Sequence, residues 1–175
     1  MIHGIPSKRR LTIGDLVSLD CGIELDGYIS DQAVTVEVGK VSAEAQRLNR
    51  VTRECLYAGI KAAKAGDRLL QIARAVNGCA LEAGFGVVHQ FCGHGVGFDV
   101  HEDPQVSNVP RGPNPKLKAG MVLAIEPMVN LGSGDVEVLE DDWTVVTADG
   151  RASAHWEHTV AIFPDRTEIL TDPLE

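Results

Sequence analysis

Two glutamates stand where a chain of this kind can least accommodate them. Glu126 follows Val122-Leu123-Ala124-Ile125 and precedes Pro127-Met128-Val129, and Glu157 sits in Trp156-Glu157-His158-Thr159-Val160-Ala161-Ile162. Both runs predict strands, over 121–129 and 155–163, with apolar side chains going into a core. A carboxylate carried into a core with its strand must be paired or metal-bound. Any fold for this chain therefore has to supply opposite charge at both places. With 175 residues, of which 44% are hydrophobic and 23% charged, there is enough material for one domain with a real core.

A second pair of carboxylates lies near the start. Val17, Leu19, Cys21 and Ile23 alternate, which predicts a strand over 15–23 with Asp20 on its other face. Asp26-Gly27 signals a two-residue hairpin turn, and 28–38 returns as the partner strand. That turn pairs Leu25 with Tyr28, Gly22 with Asp31 and Asp20 with Ala33. Asp20 and Asp31 then become diagonal neighbours on one face, about 7–8 Å apart at Cα. Ionised carboxylates that close repel unless one is protonated or a cation lies between them. Flanked by Ser30 and Gln32, Asp31 reads equally as an exposed residue.

The nitrogen donors come from Cys92-Gly93-His94-Gly95-Val96-Gly97-Phe98-Asp99-Val100-His101-Glu102-Asp103-Pro104. Glycines around His94 allow backbone or ligand to approach it, and imidazole is the commonest metal ligand. Alone, the segment reads equally as a glycine-rich turn with two exposed histidines. Pro104 limits how far a strand can continue, and 102–116, with four prolines, predicts an ordered loop. Glu102, Asp103, Asp141 and Asp142 fall in polar loops. Helices are predicted over 43–64, with Ser42 as N-cap, and over 68–83, ended by Gly84. Further strands are predicted at 85–91, 136–140, 143–147 and 167–170.

The chain also looks like itself. Leu11-x-x-Gly14 precedes Asp20 by nine and six residues, and Leu117-x-x-Gly120 precedes Glu126 by the same nine and six. His3-Gly4-Ile5-Pro6 stands upstream of the first and His94-Gly95-Val96-Gly97 upstream of the second. This reads as a duplicated unit of His-Gly, loop, strand and carboxylate. Only the second copy has a helix pair before its histidine, so the first half is expected to be incomplete.

A net charge of −9 argues against nucleic-acid binding, which needs a basic face; Lys8-Arg9-Arg10 is a short solvated turn. The four cysteines form no C-x-x-C pair, and three sit in apolar patterns that predict small core residues. No run approaches membrane-spanning length or resembles a signal peptide, and a reducing cytoplasm is the expected home. The inner donor set is then Asp20, Asp31, His94, Glu126 and Glu157. Four anions and one imidazole suit two divalent cations. The oxygen-rich set favours Mn(II), Fe(II) or Co(II) and leaves Zn(II) open. Paired metals of this kind activate a water and polarise a carbonyl.

At these residues the chain resembles the type I methionine aminopeptidases. The likeness is carried by His3-Gly4-Ile5-Pro6, Ser18-Leu19-Asp20, Cys92-Gly93-His94-Gly95-Val96-Gly97, His101-Glu102-Asp103-Pro104, Ile125-Glu126-Pro127-Met128-Val129-Asn130, Asp142-Trp143-Thr144-Val145 and Trp156-Glu157-His158-Thr159, and runs on to Glu168-Ile169-Leu170-Thr171. It implies an α+β pita-bread fold, a curved and mostly antiparallel sheet with helices behind it, as a single catalytic metallopeptidase domain over 1–175. Relative to the family that domain is expected to be N-terminally truncated, with His3 near a free end and an apolar face of the 15–38 hairpin left uncovered.

The resemblance places the family's five metal ligands on Asp20, Asp31, His94, Glu126 and Glu157. It gives His101, Glu126 and His3 catalytic roles, with His101 at the scissile carbonyl. It puts His3 on the substrate backbone, Trp143 on a wall of the methionine pocket and Ser153 near a monovalent-cation site. It implies removal of N-terminal methionine from peptides and nascent proteins, with the ribosome as a partner and no membrane. Gln32 stands where the family has a small hydroxylated residue, and Val100 where it often has phenylalanine. A proline-specific dipeptidase of the same fold, and a non-catalytic binding module that kept it, are the rival readings.

Overall fold

The structure, a computed structural model, describes residues 3–5 and 7–171. β1 (Leu16–Leu25) and β2 (Tyr28–Glu37) form an antiparallel hairpin. Asp26 and Gly27 have φ of 53° and 80°, the two positive values that a type I′ turn requires. The turn sets the predicted register, with Leu25 opposite Tyr28, Gly22 opposite Asp31 and Asp20 opposite Ala33. α1 (Ala43–Ala62) starts where the Ser42 hydroxyl accepts the Ala45 N–H, satisfying one of the helix's orphan donors. α2 (Leu70–Glu82) packs beside it.

The remaining chain is β-rich. It runs through β3 (Gly86–Val87), β4 (Gly93–Gly95), β5 (Glu102–Val106), β6 (Val122–Ile125), β7 (Met128–Asn130), β8 (Val136–Val138), β9 (Val145–Thr147), β10 (Ser153–His155), β11 (His158–Ile162) and β12 (Thr167–Ile169). Five strands form an antiparallel sheet in the order β12-β11-β6-β4-β5, three form β10-β7-β3, and β8 pairs with β9. The core lies between the helices and these sheets. Leu48 and Leu56 of α1 and Ile72 and Val76 of α2 meet Leu123, Ile125, Val129 and Val160.

Several expectations need correction. The strand predicted over 85–91 is limited to β3. The strand predicted over 121–129 is two strands. Pro127 has no N–H to continue the ladder, so the chain leaves the five-stranded sheet after Ile125 and enters the three-stranded sheet at Met128. The segment at 153–162 makes the reverse crossing, from β10 to β11. Glu126 and Glu157 are thus both at points where the chain passes between the same two sheets. Third, Pro104 lies inside a strand and not in a loop. β5 is the edge of its sheet, where a missing donor faces outward at little cost.

The duplicated unit is present in the backbone. Gly14 N–H donates to Val38 C=O at 2.9 Å and Gly120 N–H to Ile162 C=O at 2.8 Å. Asp15 N–H reaches Thr12 C=O and Met121 N–H reaches Lys118 C=O; Val38 N–H returns to Asp15 and Ile162 N–H to Met121. Gly14 and Gly120 have φ of 104° and 92°. The hairpin and the β6–β11 pair are therefore equivalent two-stranded units.

The outer face of the hairpin is apolar and open. Leu19 is 54% exposed and Ile23 55%, as expected for strands without covering helices. Cys21 shares that face and is exposed. It is not the core residue its pattern predicts, because alternation marks a face without saying whether anything covers it. Cys55 is buried and Cys79 and Cys92 are half-buried.

Candidate metal centre

Four elements meet in one cavity of about 240 Å³. The hairpin contributes Asp20 and Asp31, β4 contributes His94, and the two sheet crossings contribute Glu126 and Glu157. His3 and His101 line the same cavity.

Backbone packing fixes the donors. β4 is squeezed between β5 and β6. A Cβ on Gly93 would stand 2.2 Å from Ala124 O, and one on Gly95 2.3 Å from Asp103 O. Only glycine fits on either side of His94. The His94 Nδ1 lies 3.0 Å from Gly95 O, which selects the tautomer with the proton on Nδ1 and leaves the Nε2 lone pair for a ligand. That Nε2 is 3.7 Å from Asp31 Oδ2 and 3.6 Å from Glu126 Oε1. Donor atoms of Asp31, His94 and Glu157 all lie within 4.8 Å of one another.

Two threonine hydroxyls hold the hairpin against the body of the protein. Thr159 Oγ1 accepts the Asp31 N–H at 3.0 Å and donates to Asp31 C=O at 2.8 Å. Thr35 Oγ1 accepts the His155 N–H at 2.9 Å and donates to His155 C=O at 2.7 Å. Between them Glu157 N–H donates to Ala33 C=O at 2.8 Å.

The electrostatics call for positive charge. Burial, together with the charges of Glu126, Asp31 and Asp20, pushes the Glu157 carboxyl up to about 10. Burial first, and then the Asp20 charge, raises Asp31 as well. Glu157 Oε1 is buried without a hydrogen bond. Four carboxylates facing a shared space with an oxygen left unsatisfied are a donor set for divalent cations, and these residues fit such ions.

Around the donors, the His101 ring lies tilted against His94, with centroids 4.3 Å apart. Glu102 accepts the N–H groups of Phe98 and Asp99 and so fixes the loop between the two histidines. Glu102 therefore has a structural task that a solvated loop carboxylate would lack. His3 stacks on Trp143 at 4.2 Å and 8° and meets Phe91 edge-on at 5.6 Å. Its carbonyl accepts the Val145 N–H, so it is tied to the cavity wall. Trp143 stands behind His3 and outside the cavity lining. Asp141, which accepts the N–H groups of Trp143 and Thr144, holds it there. Ser153 opens β10, and its hydroxyl donates to Val129 C=O at 3.2 Å.

Sequence reasoning missed His155. This ring is 2% exposed. Its Nδ1 is 4.0 Å from Asp20 Oδ2 and its Nε2 3.4 Å from Glu126 Oε2, yet neither nitrogen makes a hydrogen bond. The duplicated unit held the signal. Extended to the partner strands, it matches Val38 with Ile162, Thr35 with Thr159, Ala33 with Glu157 and Asp31 with His155.

Antiparallel sheets backed by two helices, with carboxylates and histidines converging between them, suit a metal-dependent enzyme, and the chain matches metallopeptidase family M24 over residues 1–163. It belongs to that family. Within it the similarity is to methionine aminopeptidases. The chain is 57% identical to the methionine aminopeptidase of Treponema pallidum, covering 100% of this chain and 69% of that protein. The crystal structure of methionine aminopeptidase from Rickettsia prowazekii superposes with a TM-score of 0.94 at 36% identity, covering 97% of this chain and 69% of that one. Prolidase from Pyrococcus furiosus shares the fold, with a TM-score of 0.80 at 26% identity over 100% of this chain and 46% of that one.

Proposed function

We propose that this chain is a metal-dependent aminopeptidase that removes N-terminal methionine from peptides and nascent proteins. Asp20, Asp31, His94, Glu126 and Glu157 act as its metal ligands. The convergence of those five side chains in one cavity carries the reading, and the names of the relatives supply the methionine. Two divalent ions held there, Mn, Fe, Co or Zn, supply an activated water and polarise the scissile carbonyl.

The protein's own groups do the rest. A Glu126 carboxylate oxygen takes a proton from the attacking water and returns it to the leaving amine nitrogen, as a positioned general base and acid. The His101 imidazole donates to the carbonyl oxygen as negative charge develops there. His3 holds the substrate backbone, with Trp143 fixing the plane of its ring from behind. Ser153 marks a monovalent-cation position in this reading, and 1–175 acts as a single catalytic domain. A cytoplasmic location and access to peptides leaving the ribosome belong to the same proposal.

Glu126→Gln should abolish hydrolysis of Met-Gly-Met at any concentration of added metal. Near-normal turnover would remove Glu126 from its role as base. Met-Gly-Met should be cleaved far faster than Lys-Gly-Met or an X-Pro dipeptide. Preference for the X-Pro substrate would replace this reading with the prolidase one, and no hydrolysis by the metal-loaded protein would leave a binding module.

A further inference from the structure

We propose that His155 is a sixth protein ligand of this centre, its Nδ1 binding the ion held by Asp20 and Glu157 while its Nε2–H fixes Glu126. The inference rests on the metal-centre reading above and adds a donor to it.

Position is the first argument. In the backbone repeat His155 occupies the place of Asp31, seven residues before Ile162 as Asp31 is seven before Val38. The two residues are also held alike. Thr159 grips the N–H and C=O of Asp31, and Thr35, at the matching position, grips the N–H and C=O of His155. The two side chains reach the same carboxylates, Asp31 grouping with His94 and Glu157 and His155 with Asp20 and Glu157.

Chemistry is the second. A neutral imidazole has one N–H and one lone pair. With the N–H on Nε2, 3.4 Å from Glu126 Oε2, the Nδ1 lone pair faces the Asp20 carboxylate at 4.0 Å. An ionised carboxylate offers only lone pairs in return. Two acceptors facing each other, the imidazole buried and the Asp20 carboxylate partly open to solvent, are reconciled by a cation between them. Donors on one ion, with bonds of about 2.0–2.2 Å, stand roughly 3–4 Å apart. Donor atoms of Asp20, His155 and Glu157 lie within 4.8 Å of one another, as do those of Asp31, His94 and Glu157. Each half of the centre thus has one aspartate, one histidine and a share of Glu157. The second imidazole shifts the Asp20 half towards the nitrogen-preferring end of the divalent series, Co(II) and Zn(II) over Mn(II).

The test uses the metal-stripped 175-residue protein titrated with Co(II), followed by calorimetry, by ligand-field absorption and by proton NMR of the shifted, exchangeable imidazole N–H resonances. Wild type should bind two equivalents and show two such resonances, from His94 Nδ1–H and His155 Nε2–H. His155→Gln keeps an N–H for Glu126 but offers only a weak amide oxygen. It should bind one equivalent at least tenfold more weakly, with the other unchanged, and should lose one resonance. Identical isotherms and spectra for the two proteins would overturn the proposal. If His155→Gln fails to fold, the wild-type spectrum decides alone, because a single shifted N–H excludes a second coordinated imidazole. If His94→Ala loses an equivalent while His155→Gln does not, the metal centre stands and only His155 falls. If wild type binds no Co(II), both readings fall together.

Discussion

Replacing Thr159 by valine exchanges one hydroxyl for a methyl in a position with no solvent exposure. The volume is nearly kept, so the cost comes from hydrogen bonding and not from a cavity. Thr159 Oγ1 accepts the N–H of Asp31 and donates to its C=O, and valine leaves both groups without it. A buried polar group stranded in this way costs about 1–3 kcal/mol. Two such groups set a ceiling of about 6 kcal/mol. Partial relaxation of the hairpin lowers that, and burying the added methyl returns about 0.8 kcal/mol. The expected net loss is about 2–4 kcal/mol, or roughly 5–12 °C in Tm for a domain of this size. Urea unfolding of the metal-free protein measures it, with Thr159→Ser as the control that keeps the hydroxyl and loses about 1 kcal/mol for the methyl. Hydrogen exchange should show the Asp31 amide opening early while amides of α1 keep their protection. A Thr159→Val protein within 0.5 kcal/mol of wild type, with its Asp31 amide still protected, would refute the argument that these hydroxyls hold the hairpin in place. Thr35→Val should lose a similar amount, since Thr35 is as buried and makes the matching pair of bonds to His155.

His101→Ala should lower kcat by about 10²–10³ while metal content by atomic emission stays at the wild-type level; a parallel loss of metal would make His101 a ligand. Asp141→Ala should free the Trp143 loop and shift tryptophan fluorescence. Hydrogen bonds from Thr144 and the Trp143 N–H hold the Asp141 carboxyl below its usual range. Its stabilising contribution is therefore present at neutral pH and lost only as pH falls through that lowered value, so the wild-type loop should loosen in acid and the variant should show no such step. Leu19→Lys and Ile23→Lys should each reduce self-association in sedimentation velocity, because both side chains lie on the open apolar face. Unchanged sedimentation would show that this face is not an association surface.

The hairpin's register was legible because Asp26-Gly27 favours one turn type, and a turn type fixes register. Glu126 and Glu157 were legible as charges in apolar runs, which is a statement about solvation that needs no fold. What pairs across long stretches of chain was not. β4 and β5 are short, one glycine-rich and the other containing a proline, and only their neighbours make them strands. The sheet crossing at Pro127 had a local sign in the proline, but an unbroken apolar run outweighed it. His155 had no local sign at all. It sits in Ala154-His155-Trp156 like any strand-end histidine, and its importance follows from applying the repeat to both strands of each unit.

The two sheet crossings have a mechanical consequence. Glu126 and Glu157 sit where the chain passes between the five-stranded and three-stranded sheets, and Asp20 and Asp31 reach the same cavity from a third, separate ladder. Under the proposed function, ions seated among these four carboxylates would act as a rivet through three plates that belong to separate ladders. Slippage of any plate against the others then requires a ligand to let go. Loaded protein should therefore lose its sheets in one concerted event, whereas the stripped protein has a lower-cost route in which the hairpin peels away first.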